Sequence, residues 1–551
     1  MNAEKIATDK QTMTGGQALV KGLLANGIHT IFALPGVQLD GAFDALYDAQ
    51  KAGDIRIIHT RHEQGAAYMA DGFARVTGEA GVCMVVPGPG LLNASAALST
   101  AYACNIPVLC VTGQIASDRI EQGYGQLHEI PNQLEMIRSV TKHAERATTP
   151  EQIPGVLNRA FEEMWSGRIR PVEIEIPPDT LFAQGKIELP GAANGRNRGD
   201  VDPDSIESAA KLLGNAEKPV IFVGGGVHVS EAWDELREVA ELLQAPVIAT
   251  QNGKGSLSDH HYLSQSQFAG KSLLAEADVV FAVGTRFAEA TSFSWGIKAG
   301  TPLVQLDVDV DMVGKAFPTE VGIVSDAKVG LSALADAIPA HNRSRENREQ
   351  EMLTRKEEAN AAAAAVMPQA AFAGAIRNAL PEDGIFVGEM TQIAYYGNMT
   401  FPVYQPRTYL TPGYQVTLGW GFPTSLGVKV GAPDKVVMSI NGDGGFGFCL
   451  NELATQAYHG IASITLVFND SAFGNVRRIQ TEDFKGRTIA SDLKNPDYVK
   501  LAESFGVTGR RTDSAEGLAT HLDEAIKADE PTLIEIKVDA MPHPWRALGL
   551  R

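Results

Sequence analysis

Lys435-Val-Val-Met-Ser-Ile-Asn-Gly-Asp-Gly-Gly-Phe446, continued by Ile464-Thr-Leu-Val-Phe-Asn-Asp-Ser-Ala-Phe-Gly474, is the stretch on which the reading of this chain turns. The unbroken apolar run from Val436 to Ile440 predicts a strand buried on both faces, ending in Gly442-Asp443-Gly444-Gly445. Cys449 to Gly460 has the apolar spacing of a helix stopped by glycine, and Ile464 to Phe468 reads as a second strand that ends in Asn469-Asp470. A right-handed crossover then sets the two strand ends side by side at one edge of a parallel sheet. Open α/β sheets bind ligands at that edge.

Asp443 and Asp470 offer hard oxygens suited to magnesium or calcium. The glycines expose backbone N–H groups at a helix start, which suits phosphate. Magnesium takes one or two carboxylates together with substrate phosphates, so a metal-bridged diphosphate is the economical reading. An ordinary strand–helix turn with solvated Asp caps is the bland one.

Outward from this stretch, 551 residues exceed one core and predict three domains. A hydrophobic fraction of 44% with 55 glycines suits α/β layers with many tight turns. The net charge of −19 argues against nucleic acid or an anionic membrane as the main partner and leaves small molecules. No apolar run approaches about 20 residues, so no transmembrane helix is expected. The polar start, Met1 to Lys10, lacks a signal-peptide core, and a cytoplasmic location is expected. Cys83, Cys104, Cys110 and Cys449 show no zinc-like pairing and are expected to be buried free thiols.

The domains are expected at residues 1–190, 200–341 and 368–551, with a charged, alanine-rich linker helix at 342–367. In the first, strands end at Pro35-Gly-Val-Gln38, Thr60-Arg-His-Glu63, Pro87-Gly-Pro-Gly90 and Gly113-Gln114, which predicts a doubly wound parallel sheet. The helix after Gly65 carries a small-residue face (Ala66, Ala67, Ala70, Ala74) that would pack closely on a partner. Glu63 stands between an apolar strand and this helix, and its bland role is a helix-start acid.

Three segments here resemble, in order, the pyrimidine-domain signature of the thiamine diphosphate-dependent superfamily, its acetolactate synthase and pyruvate decarboxylase group. They are Arg61-His-Glu-Gln-Gly-Ala-Ala-Tyr-Met-Ala-Asp-Gly-Phe-Ala-Arg75, Pro87-Gly-Pro-Gly-Leu-Leu-Asn93 and Asn105-Ile-Pro-Val-Leu-Cys-Val-Thr-Gly-Gln114. The opening stretch is similar to that group's G-D-G motif and its later Asn-containing pair. The resemblance spans the whole chain, specific in the first and third domains and loose in the second. It implies pyrimidine-binding, central and diphosphate-binding domains, with thiamine diphosphate and Mg2+ as cofactors. It also implies a homo-oligomer, a dimer at least, with active sites at the dimer interface.

Carried over residue by residue, the resemblance implies that Glu63 binds N1′ of the aminopyrimidine and drives cofactor activation, in the neighbourhood of Pro89 and Asn93. Asp443, Asp470 and the Ala472 carbonyl would hold the metal, with Asp470 replacing the usual Asn. Gly442, Gly444, Gly445, Phe473 and Gly474 would lie along the diphosphate. Gly388-Glu389-Met390 resembles the diphosphate loop, where the usual Gln and His appear as Glu389 and Met390. The Val416 carbonyl would accept from the 4′-amino group, and Leu418 would be the apolar wedge beneath the thiazolium. The bland reading of Leu418 is plain core.

The substrate side departs from acetolactate synthases, whose Pro-Gly-Gly-Ala loop appears here as Pro35-Gly-Val37-Gln38. Val37 and Gln38 intrude where small residues leave room. His128 stands in place of a glutamine near the substrate carbonyl, or is a surface loop histidine. The expected activity is therefore C–C bond cleavage or formation on a 2-oxo acid, decarboxylase or carboligase, through a C2 ylid and an enamine. A hydrolase of cyclic 1,2-diones with the same cofactor is one alternative. A nicotinamide oxidoreductase built on the middle domain is another, although the G-x-G-x-x-G fingerprint there is poor. The same domain would carry FAD in a flavin-binding relative, and a purely structural role is preferred.

Overall fold

The computed structural model describes residues 10–193, 195–289 and 294–550; the polar start before residue 10 lies outside them. Three six-stranded parallel sheets, each interleaved with helices, make up the core. In spatial order the first is Arg56–His59, Thr30–Ala33, Gly81–Val85, Val108–Gly113, Val172–Ile176 and His143–Arg146. The third runs Tyr409–Leu410, Ile385–Gly388, Val437–Gly442, Ile464–Asn469, Thr532–Lys537 and Thr508–Thr512. Both therefore share the chain-rank order 2-1-3-4-6-5. The middle sheet runs Ser264–Gln265, Val247–Ala249, Pro219–Val223, Val279–Val283, Leu303–Asp307 and Val321–Val324, the 3-2-1-4-5-6 order of dinucleotide-binding folds. In each order the direction in which the chain progresses reverses between two neighbouring strands, the point at which open α/β sheets bind ligands.

Two compact units are formed. One comprises Met1–Asn197 with Phe422–Pro433 and Cys449–Ile461. The other comprises Arg198–Gly421, Asp434–Phe448 and Ala462–Arg551 and holds the middle and third sheets. In the first unit, the small-residue face of the Glu63–Thr77 helix meets the Gly421–Gly431 helix backbone to backbone. A Cβ on Gly427 would collide with the Met69 carbonyl, and one on Gly72 with the Thr424 carbonyl.

The opening stretch folds as expected, with Met438 to Gly442 in parallel register with Ile464 to Phe468. The helix expected over Cys449–Gly460 is shorter. A 3-10 turn at Leu450–Glu452 precedes the helix Leu453–Tyr458 because the Glu452 carboxylate is pulled inward by Thr455 Oγ1 at 2.5 Å and by the Arg61 N–H. The linker helix forms at Glu349–Ala364, burying Met352, Ala359 and Ala363. Among the described residues no single helix is long and apolar enough to cross a membrane. None of the four cysteines is in a disulfide: Cys83, Cys110 and Cys449 are buried and Cys104 is partly so.

Candidate active site

Two clusters of side chains form at carboxyl ends of strands, one in each unit. In the first unit Glu63 opens the Glu63–Thr77 helix, capped by His62, whose Nδ1 accepts from the Gln64 N–H at 3.2 Å. Glu63 is 9% exposed, and Asn93 Nδ2 donates to its Oε2 at 3.0 Å. A Cβ on Gly90 would come within 3.4 Å of Glu63 Oε1, so the Pro87–Gly90 turn lies directly against the carboxylate. Beneath the same helix start lies Glu452, fully buried. Its two oxygens each accept from the Arg61 N–H at 3.2 Å. A Cβ on Gly65 would lie 2.5 Å from Glu452 Oε1, which is why that position is glycine. Burial pushes the Glu452 carboxyl up to about 6, and the Thr455 hydroxyl and the backbone N–H groups oppose the shift.

Gln38 and His128 meet in the first unit. Gln38 Nε2 donates to the Leu127 carbonyl at 3.0 Å, which fixes the amide orientation. Its Oε1, 3.0 Å from His128 Nδ1, can only accept, so Nδ1 carries a proton. Val37 is 57% exposed, as a residue lining an open pocket would be. Behind the Pro87–Gly90 turn, Gln133 accepts from the Gly88 N–H at 2.8 Å and donates to Glu175, which also pairs with Arg146. Sequence reasoning missed Gln133, Glu175 and Glu452, since none stands in a motif.

In the second unit Asp443 and Asp470 leave the ends of adjacent parallel strands. Burial raises the Asp443 carboxyl to about 6, and the charge of Asp470 adds to the shift against the hydrogen bond from Asn495. Burial also raises Asp470, opposed by the Arg477 guanidinium. Asn495 Nδ2 bridges Asp443 Oδ2 at 2.6 Å and Asn469 Oδ1 at 2.9 Å, a contact without sequence signal. Ser471 adopts φ 55°, and this turn brings Ala472 beside the pair; the 491–493 loop braces it through Phe473 N–H to Ser491 O at 2.8 Å. A Cβ on Gly444 would lie 2.7 Å from the Phe473 ring. A buried and a partly buried carboxylate that repel each other are a donor set that fits a small divalent cation. A Cβ added at Gly442 would meet only the Thr391 side chain, in ordinary contact at 3.7 Å.

Beside this cluster, Glu389 is 1% exposed and does not point outward. Its Oε1 accepts from the Gly419 N–H at 3.0 Å and its Oε2 from the Gly421 N–H at 2.9 Å. Met390 is half-buried and Gly388 buried. Val416 is 45% exposed with φ 54°, a left-handed conformation unfavourable for a β-branched residue, and Leu418 is half-buried.

A carboxylate at a helix start beside a glycine turn, and a carboxylate pair at a sheet edge, are each arrangements that suit a cofactor-dependent enzyme of the α/β class. Comparison with known proteins makes the class specific. Residues 13–136 match the model of the N-terminal TPP binding domain of thiamine pyrophosphate enzymes, 206–334 the central domain and 387–536 the C-terminal TPP binding domain. The chain is 34% identical over 538 residues to a probable 2-ketoarginine decarboxylase of Pseudomonas aeruginosa, covering 96% of this chain and 94% of that protein. It is 35% identical over 561 residues to a probable acetolactate synthase large subunit of Methanocaldococcus jannaschii, covering 96% and 92%. With the acetolactate synthase large subunit of Corynebacterium glutamicum it shares 31% over 565 residues, covering 97% and 88%. The chain belongs to the thiamine pyrophosphate enzyme family, in its acetolactate synthase-like group.

Proposed function

We propose that this enzyme uses thiamine diphosphate with Mg2+ to break, and then protonate or re-form, the C–C bond next to the carbonyl of a 2-oxo acid. The observation that carries this is the Glu63 carboxylate at the helix start, held by Asn93 against the Pro87–Gly90 turn. When bound, thiamine diphosphate supplies a carbon nucleophile and an electron sink for the bond that breaks.

The residues of this chain supply the rest. Glu63 exchanges a proton with N1′ of the aminopyrimidine, and Asn93 keeps the carboxylate oriented for that exchange. Asp443, Asp470 and the Ala472 carbonyl would hold the metal, with Gly442, Gly444, Gly445, Phe473 and Gly474 along the diphosphate. The Val416 carbonyl would accept from the 4′-amino group, and Leu418 would support the ring. His128, its Nδ1 held by Gln38, faces the substrate carbonyl as acid–base partner, and Val37 and Gln38 narrow the pocket.

The printed activities of the relatives, decarboxylation and acetolactate synthesis, support a decarboxylase or carboligase. The three family matches speak against a nicotinamide oxidoreductase, and no contact favours a cyclic-dione hydrolase. The central domain is read as structural rather than FAD-binding. Its Gly224–Gly226 and Gly284 loops close on each other, a Cβ on Gly226 meeting Gly284 Cα at 2.6 Å. A homo-oligomer joining the pyrimidine site of one copy to the diphosphate site of another, in the cytoplasm, completes the proposal; the unbridged thiols fit a reducing compartment.

Calorimetric titration of thiamine diphosphate with Mg2+ into wild type and Glu63→Gln, with turnover of pyruvate and of longer 2-oxo acids, tests it. Metal-dependent binding to both with turnover lost in Glu63→Gln is expected. Absence of binding to the wild type would overturn the proposal.

A further inference from the structure

We propose that Glu389 is a positioning residue: its buried carboxyl fastens the Gly419–Gly421 turn to the end of the Ile385–Gly388 strand. It thereby holds the Val416–Leu418 segment in the shape that receives the aminopyrimidine ring. The inference rests on the thiamine diphosphate reading above and assigns Glu389 away from the diphosphate contact that its place in the loop implies.

Four observations carry it. Both carboxyl oxygens accept from backbone N–H groups of the turn, at 3.0 Å and 2.9 Å, and the group is 1% exposed, so it faces the turn rather than a ligand. Space for the carboxyl is created by two glycines. A Cβ on Gly445 would collide with Glu389 Oε1, and one on Gly421 would lie 2.9 Å from Glu389 Cβ and 2.5 Å from Asn441 Oδ1. The turn is strained at one residue and needs an anchor: Val416 sits at φ 54° just before the helix that begins at Gly421, and Gly419 between them takes φ 82°. Trp420, between the two bonded amides, is fully buried, so the anchor and the apolar plug fix the same short segment. An outward carboxylate here would repel a diphosphate; turned inward, it accepts from the two turn amides.

The test uses Glu389→Gln in the full chain, an isosteric change that keeps one acceptor and sets an NH2 against the other N–H. Thiamine diphosphate and inorganic diphosphate are each titrated in Mg2+, and amide exchange is read at Gly419 and Gly421. Inorganic diphosphate reports the metal cluster alone, whereas the whole cofactor also reports the turn. The expected result is faster exchange at both glycines and thiamine diphosphate affinity reduced about tenfold, as loss of a charged hydrogen bond predicts. Turnover number should fall with little change in KM for the 2-oxo acid, and inorganic diphosphate should bind as to wild type. Tighter binding of inorganic diphosphate would place the carboxyl against phosphate and overturn the proposal, as would unchanged cofactor affinity and turnover. If Glu389→Gln fails to fold, Gly421→Ala displaces the same turn against Asn441, and equal loss of both ligands in it overturns the proposal. A wild type that binds inorganic diphosphate but not the cofactor would instead sink the functional reading on which this one rests.

Discussion

Asn93 Nδ2 lies 3.0 Å from Glu63 Oε2, joining two helices that start at strand ends on either side of the Thr30–Ala33 strand. The bond leaves Glu63 Oε1 toward Gly90, so the pair has one oxygen for orientation and one for chemistry. Asn93→Ala removes the orienting donor at an exposed amide. A loss of about 1 kcal/mol, or about fivefold in kcat/KM, is expected with cofactor affinity nearly unchanged. Steady-state kinetics on the best 2-oxo acid checks it; an unchanged kcat/KM would leave Asn93 without this role.

The backbone-to-backbone crossing of the Glu63–Thr77 and Gly421–Gly431 helices leaves no room for a methyl group. Gly427→Ala is expected to destabilise by about 1–3 kcal/mol through forced separation of the helices. Thermal unfolding should show a midpoint several degrees lower, whereas Gly53→Ala, where an added Cβ meets nothing, tests only the positive φ.

Mg2+ should raise the unfolding midpoint of the cofactor-free protein by relieving the repulsion between Asp443 and Asp470. Asp443→Asn is expected to abolish that shift. Asn495→Ala, which frees Asp443 Oδ2 from its bridge, should weaken Mg2+ affinity about tenfold, as loss of an orienting partner does. A midpoint-versus-Mg2+ titration of the three proteins decides, and identical curves for wild type and Asn495→Ala would count against the bridge.

Burial raises the carboxyl of Glu389 to about 7 and that of Glu452 to about 6. In this range the folded protein holds a proton that the unfolded chain has released, so each group's contribution is present at low pH and is lost as pH rises through its folded value. His228 and His459, both held down to about 4 by burial, act in the opposite sense below their ordinary 6.5. The readout is therefore a difference. Relative to wild type, Glu452→Gln should gain stability between about pH 4.5 and 6, and Glu389→Gln up to about pH 7, at no more than about 1.4 kcal/mol per pH unit. Parallel midpoint-versus-pH curves for wild type and Glu389→Gln would contradict the raised value that burial gives that carboxyl.

Local physics made much of this protein legible from its residues. Unbroken valine and isoleucine runs can only be strands covered on both faces, and such strands alternating with helices close into parallel sheets. Asp443 and Asp470 were therefore placed at one edge before any coordinates, because handedness leaves the chain no other crossover. Glu63, Asn93 and Gln38 were legible through their motifs. The short strands Thr508–Thr512 and His143–Arg146, polar and part-exposed, carry no such run and were not.

Which way a buried polar side chain turns was decided only by the tertiary structure. Glu389 stands in a loop that resembles a phosphate site, yet its carboxyl faces the Gly419 and Gly421 amides, 30 and 32 residues away in the chain. Glu452 supports the start of the Glu63 helix from 391 residues further along, and Asn495 reaches Asp443 across 52. Periodicity reports which face of an element is covered. It carries no information about which distant donor satisfies a buried carboxylate, because that partner exists only once the strands have assembled and water has left.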